Sequence, residues 1–354
     1  MAAIRVGFIG TGKKKERPDL NGFFMAYRHA PAYQALPQCQ LVACADIEKD
    51  HATAFANAFD VPAAYTNYHD MLASEKLDIV SICTWPHLHE EMVLACLEAG
   101  LPAVHSEKPM ALTFGQCRTM LDAARNSPTQ LTFNHQRRFG APFRKTRELI
   151  GDGQIGRIVR MDALCGDLYD GGCHWVDLLN YFNGEARATW TLGQIDGREI
   201  RYAFGAPSEY QGLFQWGYDN GVLAVMLTGP DVREWGPPFR ITGSEGIIEI
   251  GWDAASGPML QVLRFTDGQW RDIDCAGESL HGPGFHERAI ADVLNCLASG
   301  QTPELCAENQ MKSMEIVFGC YESCRRRGRV DLPMDIEDSP LLDMIETGAL
   351  GSSR

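Results

Sequence analysis

Long apolar runs are missing from this sequence. No window reaches the ~18 apolar residues that a membrane-spanning helix needs, so no membrane partner is expected. Basic charge is also scarce, with 32 Lys and Arg against 46 Asp and Glu and a formal net charge of −14. A surface of that sign repels phosphate backbones, which excludes a general nucleic-acid binder. Paired cysteines are absent as well: the 12 cysteines are scattered without a CxxC pair. Cys44, Cys83, Cys96 and Cys296 fall in apolar patterns, where a reduced thiol behaves as a small hydrophobe. Cys320 and Cys324 stand one helical turn apart with no His or Cys cluster beside them, so no metal is expected. The opening Met1-Ala-Ala-Ile-Arg-Val-Gly7 enters a strand directly and lacks the apolar region of a signal peptide. Together with unpaired thiols, this makes a cytoplasmic location the expectation.

What is present suffices for two domains, since the chain has 354 residues. The expected division is a dinucleotide-binding domain over 1–136, an α+β substrate and oligomerisation domain over 137–334, and a tail over 335–354. The tail is polar apart from Pro340-Leu-Leu-Asp-Met-Ile345 and reads as an arm.

One stretch organises the first part: His105-Ser-Glu-Lys-Pro109, which follows the apolar run Leu101-Pro-Ala-Val104. A Glu-Lys pair leaving a buried strand needs partners or a task. Pro109 keeps Lys108 out of the α region, so backbone sterics aim the lysine. The X-Pro bond is also one that can be cis.

Upstream, Ile4-Arg-Val-Gly-Phe-Ile-Gly10-Thr-Gly12 opens like the glycine fingerprint that brings backbone close to a pyrophosphate. Lys15 occupies the third glycine position, and a polar loop from Lys13 to Asp19 delays the helix until Phe24. Gln40-Leu-Val-Ala-Cys-Ala-Asp46 is a second strand ending in a carboxylate suited to ribose hydroxyls. A helix from Lys49 to Phe59, a strand over Asp78–Thr84 and a helix from Glu90 to Ala99, stopped by Gly100, continue the alternation. Ala103-Val-His105, a helix from Phe114 to Asn126 and the strand Leu131–Asn134 complete it. Such alternation predicts a doubly wound parallel sheet, a Rossmann fold, whose ligands bind outside the carboxyl ends of the strands. Gly10, Asp46, Thr84-Trp-Pro-His-Leu-His89 and Glu107-Lys108 converge on that edge.

After Phe139 the pattern changes. Thr189–Thr228 and Phe239–Ile273 read as strands of a large, mostly antiparallel open sheet. Asp196-Gly197, Asn220-Gly221 and Asp267-Gly268 are placed as two-residue hairpin turns. Helices over Phe285–Ala298 and Glu308–Arg327 return to cover apolar surface. Before the sheet lies Asp167-Leu-Tyr-Asp170-Gly-Gly-Cys-His174-Trp-Val-Asp177. Asp170 is placed as the N-cap of an amphipathic helix, on which Asp170 and His174 share a face. A carboxylate beside an imidazole fixes its tautomer and raises its basicity.

These pieces resemble the glucose-fructose oxidoreductase / inositol dehydrogenase / rhizopine-catabolism family of two-domain, nicotinamide-dependent sugar and polyol dehydrogenases. Gly7-Phe-Ile-Gly-Thr-Gly12, Thr84-Trp-Pro-His-Leu-His89, Glu107-Lys-Pro109, Arg138-Phe139, Gly153-Gln-Ile-Gly156, Asp170-xxx-His174-xx-Asp177, Tyr321-Glu-Ser-Cys324 and Val330-Asp-Leu-Pro333 carry the likeness, over roughly residues 3 to 334. The resemblance implies Gly10 and Gly12 under the pyrophosphate and Asp46 on the adenosine ribose. Thr84, Pro86 and His89 would line the cofactor path, with Glu107 and Lys108 on the same cofactor edge. Lys108 and His174 would flank the nicotinamide, with Asp170 beside them. The expected cofactor is NAD rather than NADP, because Asp46 repels a 2′-phosphate. The Lys13–Arg17 loop is better placed for the pyrophosphate. Two departures stand out: the lysine insertion, and the short Arg157–Tyr169 stretch, which holds one strand of ~8 residues where relatives place a longer wall.

The chemistry suits these residues. Oxidation of a carbinol leaves a proton for His174 and a developing negative oxygen for Lys108. Which of the two is the formal base stays open, since they can titrate as a coupled pair. The expected substrate is a carbohydrate or polyol with a hexose-type ring, glycosides tolerated. Leu213-Phe-Gln-Trp216 and Val222-Leu-Ala-Val-Met226 carry apolar residues on both faces, which points to a homo-oligomer, dimer or tetramer. Two other readings stay open. A cofactor-retaining glycosidase would turn over with no net change in NADH absorbance. A non-catalytic dinucleotide or sugar sensor would dispense with the lysine or the histidine, and both are present.

Overall fold

The computed structural model describes residues 3–13, 24–282 and 284–350. Most of the Lys13–Arg17 loop, expected near a cofactor phosphate, lies outside them. The chain forms two compact units. The first takes the described residues up to Leu112, Gln116–Gln136 and 284–310. The second takes Thr113–Gly115, Arg137–Gly282 and the described residues from Met311 onward.

The first unit runs β1 (Ile4–Ile9), α1 (Ala26–Gln34), β2 (Cys39–Ala45), α2 (Lys49–Phe59), β3 (Ala63–Tyr65), α3 (Tyr68–Ser74), β4 (Ile79–Ile82), α4 (Pro86–Glu98), β5 (Ala103–Ser106), α5 (Phe114–Arg125) and β6 (Gln130–Phe133). Its six strands are all parallel, in the order β3-β2-β1-β4-β5-β6. Strands covered on both faces must be apolar throughout, and Val6, Phe8, Ile79, Val80, Ala103 and Val104 are fully buried. The order reverses between β1 and β4, which is where such sheets bind ligands. Helix α4 begins at Pro86 rather than Glu90, because a proline suits the first helical position. It stops as expected, with Gly100 in the left-handed region at φ 69°.

A helix from much later in the chain, over Gly284–Ser299, sends Ile290, Val293 and Leu294 into the core that holds Phe8, Tyr33 and Ile79. Its apolar stripe completes the first unit.

The second unit contains α6 (Ala141–Gly151), β7 (Ile158–Cys165), α7 (Gly172–Phe182), β8 (Ala188–Asp196), β9 (Arg201–Ala203), β10 (Ala206–Ser208), β11 (Gln211–Tyr218), β12 (Leu223–Thr228), β13 (Phe239–Gly243), β14 (Gly246–Ile250), β15 (Leu260–Arg264) and β16 (Trp270–Asp272). With the Gly284–Ser299 helix as α8, it closes with α9 (Ala307–Arg326), β17 (Val330–Asp331) and α10 (Pro340–Glu346). Nine strands form one sheet, ordered β16-β15-β14-β13-β7-β12-β11-β8-β17, antiparallel except where β7 meets β12. The expected short strand after Arg157 is β7, and it stands at the centre of the sheet.

The two-residue hairpins are corrected. At Asn220-Gly221 the Gly221 N–H bonds back to Tyr218 and the Tyr218 N–H bonds to Val222, a three-residue loop with Gly221 at φ 83°. Five residues separate β15 from β16 around Asp267-Gly268. Asp196-Gly197 closes no hairpin between neighbours, because β8 pairs with β11 and the short β9–β10 ribbon intervenes. The arm is corrected too. Helix α10 buries Pro340, Leu341 and Met344, and Arg325 bonds Asp338 and Asp343 to hold the tail on the second unit.

Candidate active site

The glycine turn is sterically defined. Gly10 has φ 81° and a Cβ there would lie 2.4 Å from Thr84 Cγ2; Gly12 has φ 62° and would meet Phe24 at 2.4 Å. Only glycine serves at both, because Thr84 and Phe24 press against the turn. Asp46 clasps this turn: its Oδ2 accepts from the Gly12 N–H at 2.8 Å and from the Thr11 hydroxyl at 3.1 Å. Its Oδ1 accepts from the Glu48 N–H at 2.9 Å. His51 Nδ1 stands 3.5 Å from the same Oδ1, and the carboxylate is half-buried. Thr84, against Gly10, and Pro86 open helix α4 on the same edge. A tight glycine turn beside a half-buried carboxylate, at the carboxyl edge of a parallel sheet, fits a bound dinucleotide.

Lys108 follows β5, half-buried, and its bond to Pro109 is cis. Glu107 before it, expected on the cofactor edge, is buried. Its carboxylate points inward, where Asn134 donates to Oε1 at 2.6 Å and His29 Nε2 lies 2.9 Å from the same atom. Its Oε2 accepts the Lys108 N–H at 3.2 Å. Behind His29 stand the Ser81 hydroxyl at 3.2 Å from Nδ1 and the Tyr33 hydroxyl at 3.0 Å from Ser81. Burial pushes the Glu107 carboxyl up, but the bond and charge of His29, the Asn134 amide and Lys108 outweigh it and hold it at about 2. Glu107 is thus a buried anion that fixes the Lys108 peptide.

His89 is also corrected. It is fully buried, with Nδ1 3.0 Å from the Pro109 carbonyl and Nε2 3.1 Å from that of Thr84. Burial lowers its pKa against the raising effect of these carbonyls, and the ring sits between the loop after β4 and the Pro109 backbone. It positions this edge without lining it.

In the second unit, His174 is buried in the first turn of α7 and Asp170 is half-buried two residues before that helix. The N-cap is Gly171, not Asp170, and it makes no side-chain cap. The turn is built instead by Asp167, whose Oδ1 accepts the N–H groups of Asp170 at 2.5 Å and Gly171 at 3.1 Å. The helix is not amphipathic either, because all 11 of its residues are buried. Fully buried Glu209 locks the same loop, accepting from the Leu168 N–H (2.9 Å), Thr228 (2.6 Å) and Tyr321 (2.6 Å). Burial raises its pKa. Asp177, one turn beyond His174, is not at the reaction face. It takes Arg138 through two 2.7 Å bonds, and Glu185 takes the third edge at 2.7 Å.

His29, Asn134, Asp167 and Glu209 escaped the sequence reading. The one available signal was His29 on the buried face of the helix that follows the glycine turn. Among the described residues no group of three metal-ligating side chains occurs, and all 12 cysteines are free thiols. No described helix is long and apolar enough to cross a membrane.

Residues 4–135 match the model of an oxidoreductase family with an NAD-binding Rossmann fold, and residues 162–332 match that family's C-terminal alpha/beta domain. D-glucoside 3-dehydrogenase of Escherichia coli K12 is 32% identical over 93% of this chain and 97% of its own. D-apiose dehydrogenase of Paraburkholderia graminis is 24% identical over 93% of this chain and 92% of its own. The structure of a levoglucosan dehydrogenase with NADH and levoglucosan superposes with a TM-score of 0.78 at 19% identity, covering 94% of this chain and all of the other.

Proposed function

This chain belongs to the glucose-fructose oxidoreductase / inositol dehydrogenase / rhizopine-catabolism family of NAD-binding oxidoreductases, and from that premise we propose that it oxidises a secondary hydroxyl of a sugar, polyol or glycoside, or reduces the ketone. The observation that carries the cofactor half is the Asp46 carboxylate clasping Thr11 and Gly12 at the carboxyl edge of a parallel sheet. The relatives named for a D-glucoside and for D-apiose support a carbohydrate substrate.

Gly10 and Gly12 hold the pyrophosphate, Asp46 the adenosine ribose, and Thr84 and Pro86 border the path between them. Bound NAD⁺ supplies the hydride acceptor. The Lys108 ammonium stabilises the negative charge that grows on the carbinol oxygen, and such a fixed charge is usually the largest catalytic term. His174 receives the proton, and Asp170 orients it. Glu107, His29 and Asn134 hold the Lys108 peptide still, as Asp167 and Glu209 hold the loop before His174.

We further propose that the chain works as a homo-oligomer. Leu192, Leu213 and Leu223 are 41%, 53% and 39% exposed. The register β8–β11–β12 puts all three on one face of the sheet, together with Val225 and Leu227. A second copy of this chain covers that apolar face. Light scattering at micromolar concentration is expected to show a dimer or tetramer, and a monomer contradicts it.

The test of function is a panel of hexoses, polyols and glycosides monitored at the NADH absorbance band. Formation of NADH with a sugar is the expected result. Product release from a glycoside without net NADH would instead favour the oxidation-elimination glycosidase. Cofactor binding with no turnover of any panel member would favour a sensor.

A further inference from the structure

Arg137 opens the second unit and stands beside Arg138, yet its surroundings are of another kind. It is only 8% exposed, and its Nε and Nη1 have no hydrogen-bond partner among the described residues. Its Nη2 lies 3.4 Å from His281 Nε2, and its guanidinium sits over the Trp175 ring at 4.2 Å. Trp175 in turn stacks on Phe239 at 5.2 Å and 24°. The indole Nε1 of Trp175 also lacks a hydrogen-bond partner among the described residues. No carboxylate comes within ion-pair distance of Arg137 among the described residues. Asp170, Cys165 and Cys173 are the groups that act on it at longer range. Burial pushes the Cys165 thiol up to about 12, so that thiol is neutral.

A buried guanidinium normally has a carboxylate, because an unpaired buried charge costs several kcal/mol. Here Arg137 Nε and Nη1 and Trp175 Nε1 have no acceptor among the described residues, and Trp175 follows His174 in the chain. Burial pulls the arginine down to about 10 against the raising effect of Cys165, Cys173 and Asp170, so it keeps its charge at neutral pH. We infer that Arg137, with the Trp175 indole, receives a carboxylate of the substrate, so that the sugar oxidised here is an acidic one such as a uronic or aldonic acid. One guanidinium balances one monoanion. A phosphate dianion would bring a surplus negative charge towards Asp170. The inference rests on the hydride-transfer reading above and narrows its substrate.

The test pairs neutral and acidic sugars with NAD⁺: glucose with glucuronate, galactose with galacturonate, and sorbitol with gluconate. The acid of at least one pair is expected to show a kcat/KM about tenfold or more above its neutral partner. Arg137→Gln should lower kcat/KM for that acid by about 10²-fold and for the neutral sugar by less than about threefold. Equal or better use of the neutral member in every pair overturns the inference and leaves the dehydrogenase reading standing. Preference for a hexose phosphate over every acid overturns the carboxylate assignment. Absence of turnover across all pairs removes the reading and the inference with it.

Thermal melting supplies an arm that does not depend on activity. Arg137→Met removes a buried charge with no carboxylate partner among the described residues, so its Tm is expected to rise by about 2–4 °C. An unchanged or lower Tm, or failure of the variant to fold, would mean that Arg137 serves the fold through Trp175 and His281, and overturns the inference.

Discussion

Arg137 and Arg138 are consecutive residues of one short 3-10 turn, Gln136–Phe139, and both are buried. Arg138 has a carboxylate on two edges: Asp177 through a two-bond fork, and Glu185. Burial pulls its pKa down, but Asp177 and Glu185 raise it further, well above the ordinary arginine value. Arg137 has a tryptophan face and a histidine nitrogen instead, and there burial wins. Arg138 fastens the start of the second unit to helix α7. Arg137 is held in place with its Nε and Nη1 unbonded among the described residues. A related contrast separates Glu107, a carboxylate enclosed with His29 and Asn134, from Asp46, which stands half-buried at the glycine turn. Charges closed by protein partners carry the fold, and the ligand contacts proposed above fall on Arg137 and Asp46.

The largest effect should come from breaking the closed side. Arg138→Met leaves Asp177 buried without its cation, and losing one partner of a buried pair costs about 3–5 kcal/mol. A Tm drop on the order of 10 °C is expected. A melting point within about 2 °C of wild type would mean the pair is not structural.

Glu107 sharpens the contrast through pH. Its carboxyl is held at about 2 in the folded chain, below its ordinary value of 4.5. The group therefore contributes stability that is fully present above the unfolded value and is lost as pH falls through the folded one. The contribution is roughly 3 kcal/mol. Glu107→Gln should be less stable near pH 6 but lose less Tm than wild type between about pH 5 and about pH 3. Parallel Tm curves for the two proteins would contradict this.

Opening the ligand-facing side further gives the smallest effect. Asp46→Asn removes the charge that repels a 2′-phosphate, so NADP(H) binding should improve relative to NAD(H) by about tenfold. Titration of both cofactors by fluorescence checks it. A wild type that binds NADP(H) as tightly as NAD(H) would remove the assigned role of Asp46.

The sequence made the closed elements legible where pattern and partner are local. Helix α2 has the expected bounds, Lys49–Phe59, because its apolar stripe and the left-handed Asp60 end are local features. The parallel sheet followed from alternating strands and helices, and β7 from its length. Long-range pairing was not legible. Asp196-Gly197 looks like a hairpin turn, yet β8 pairs with β11, and two residues cannot announce that. Asp170 looks like a cap, yet Asp167 was equally placed and does the bonding. Arg137 and Arg138 are the same residue type side by side. Only their partners, dozens of residues away, separate a clamp from an open charge.

The central claim is that Lys108 and His174 perform the proton and charge chemistry of hydride transfer. Its most direct test is single-turnover NADH formation by wild type, Lys108→Met and His174→Ala with a sugar that the panel identifies, alongside NADH binding. Each variant is expected to transfer hydride at least about 10²-fold more slowly while binding NADH within about threefold of wild type. Either variant reducing NAD⁺ at the wild-type rate would contradict the account.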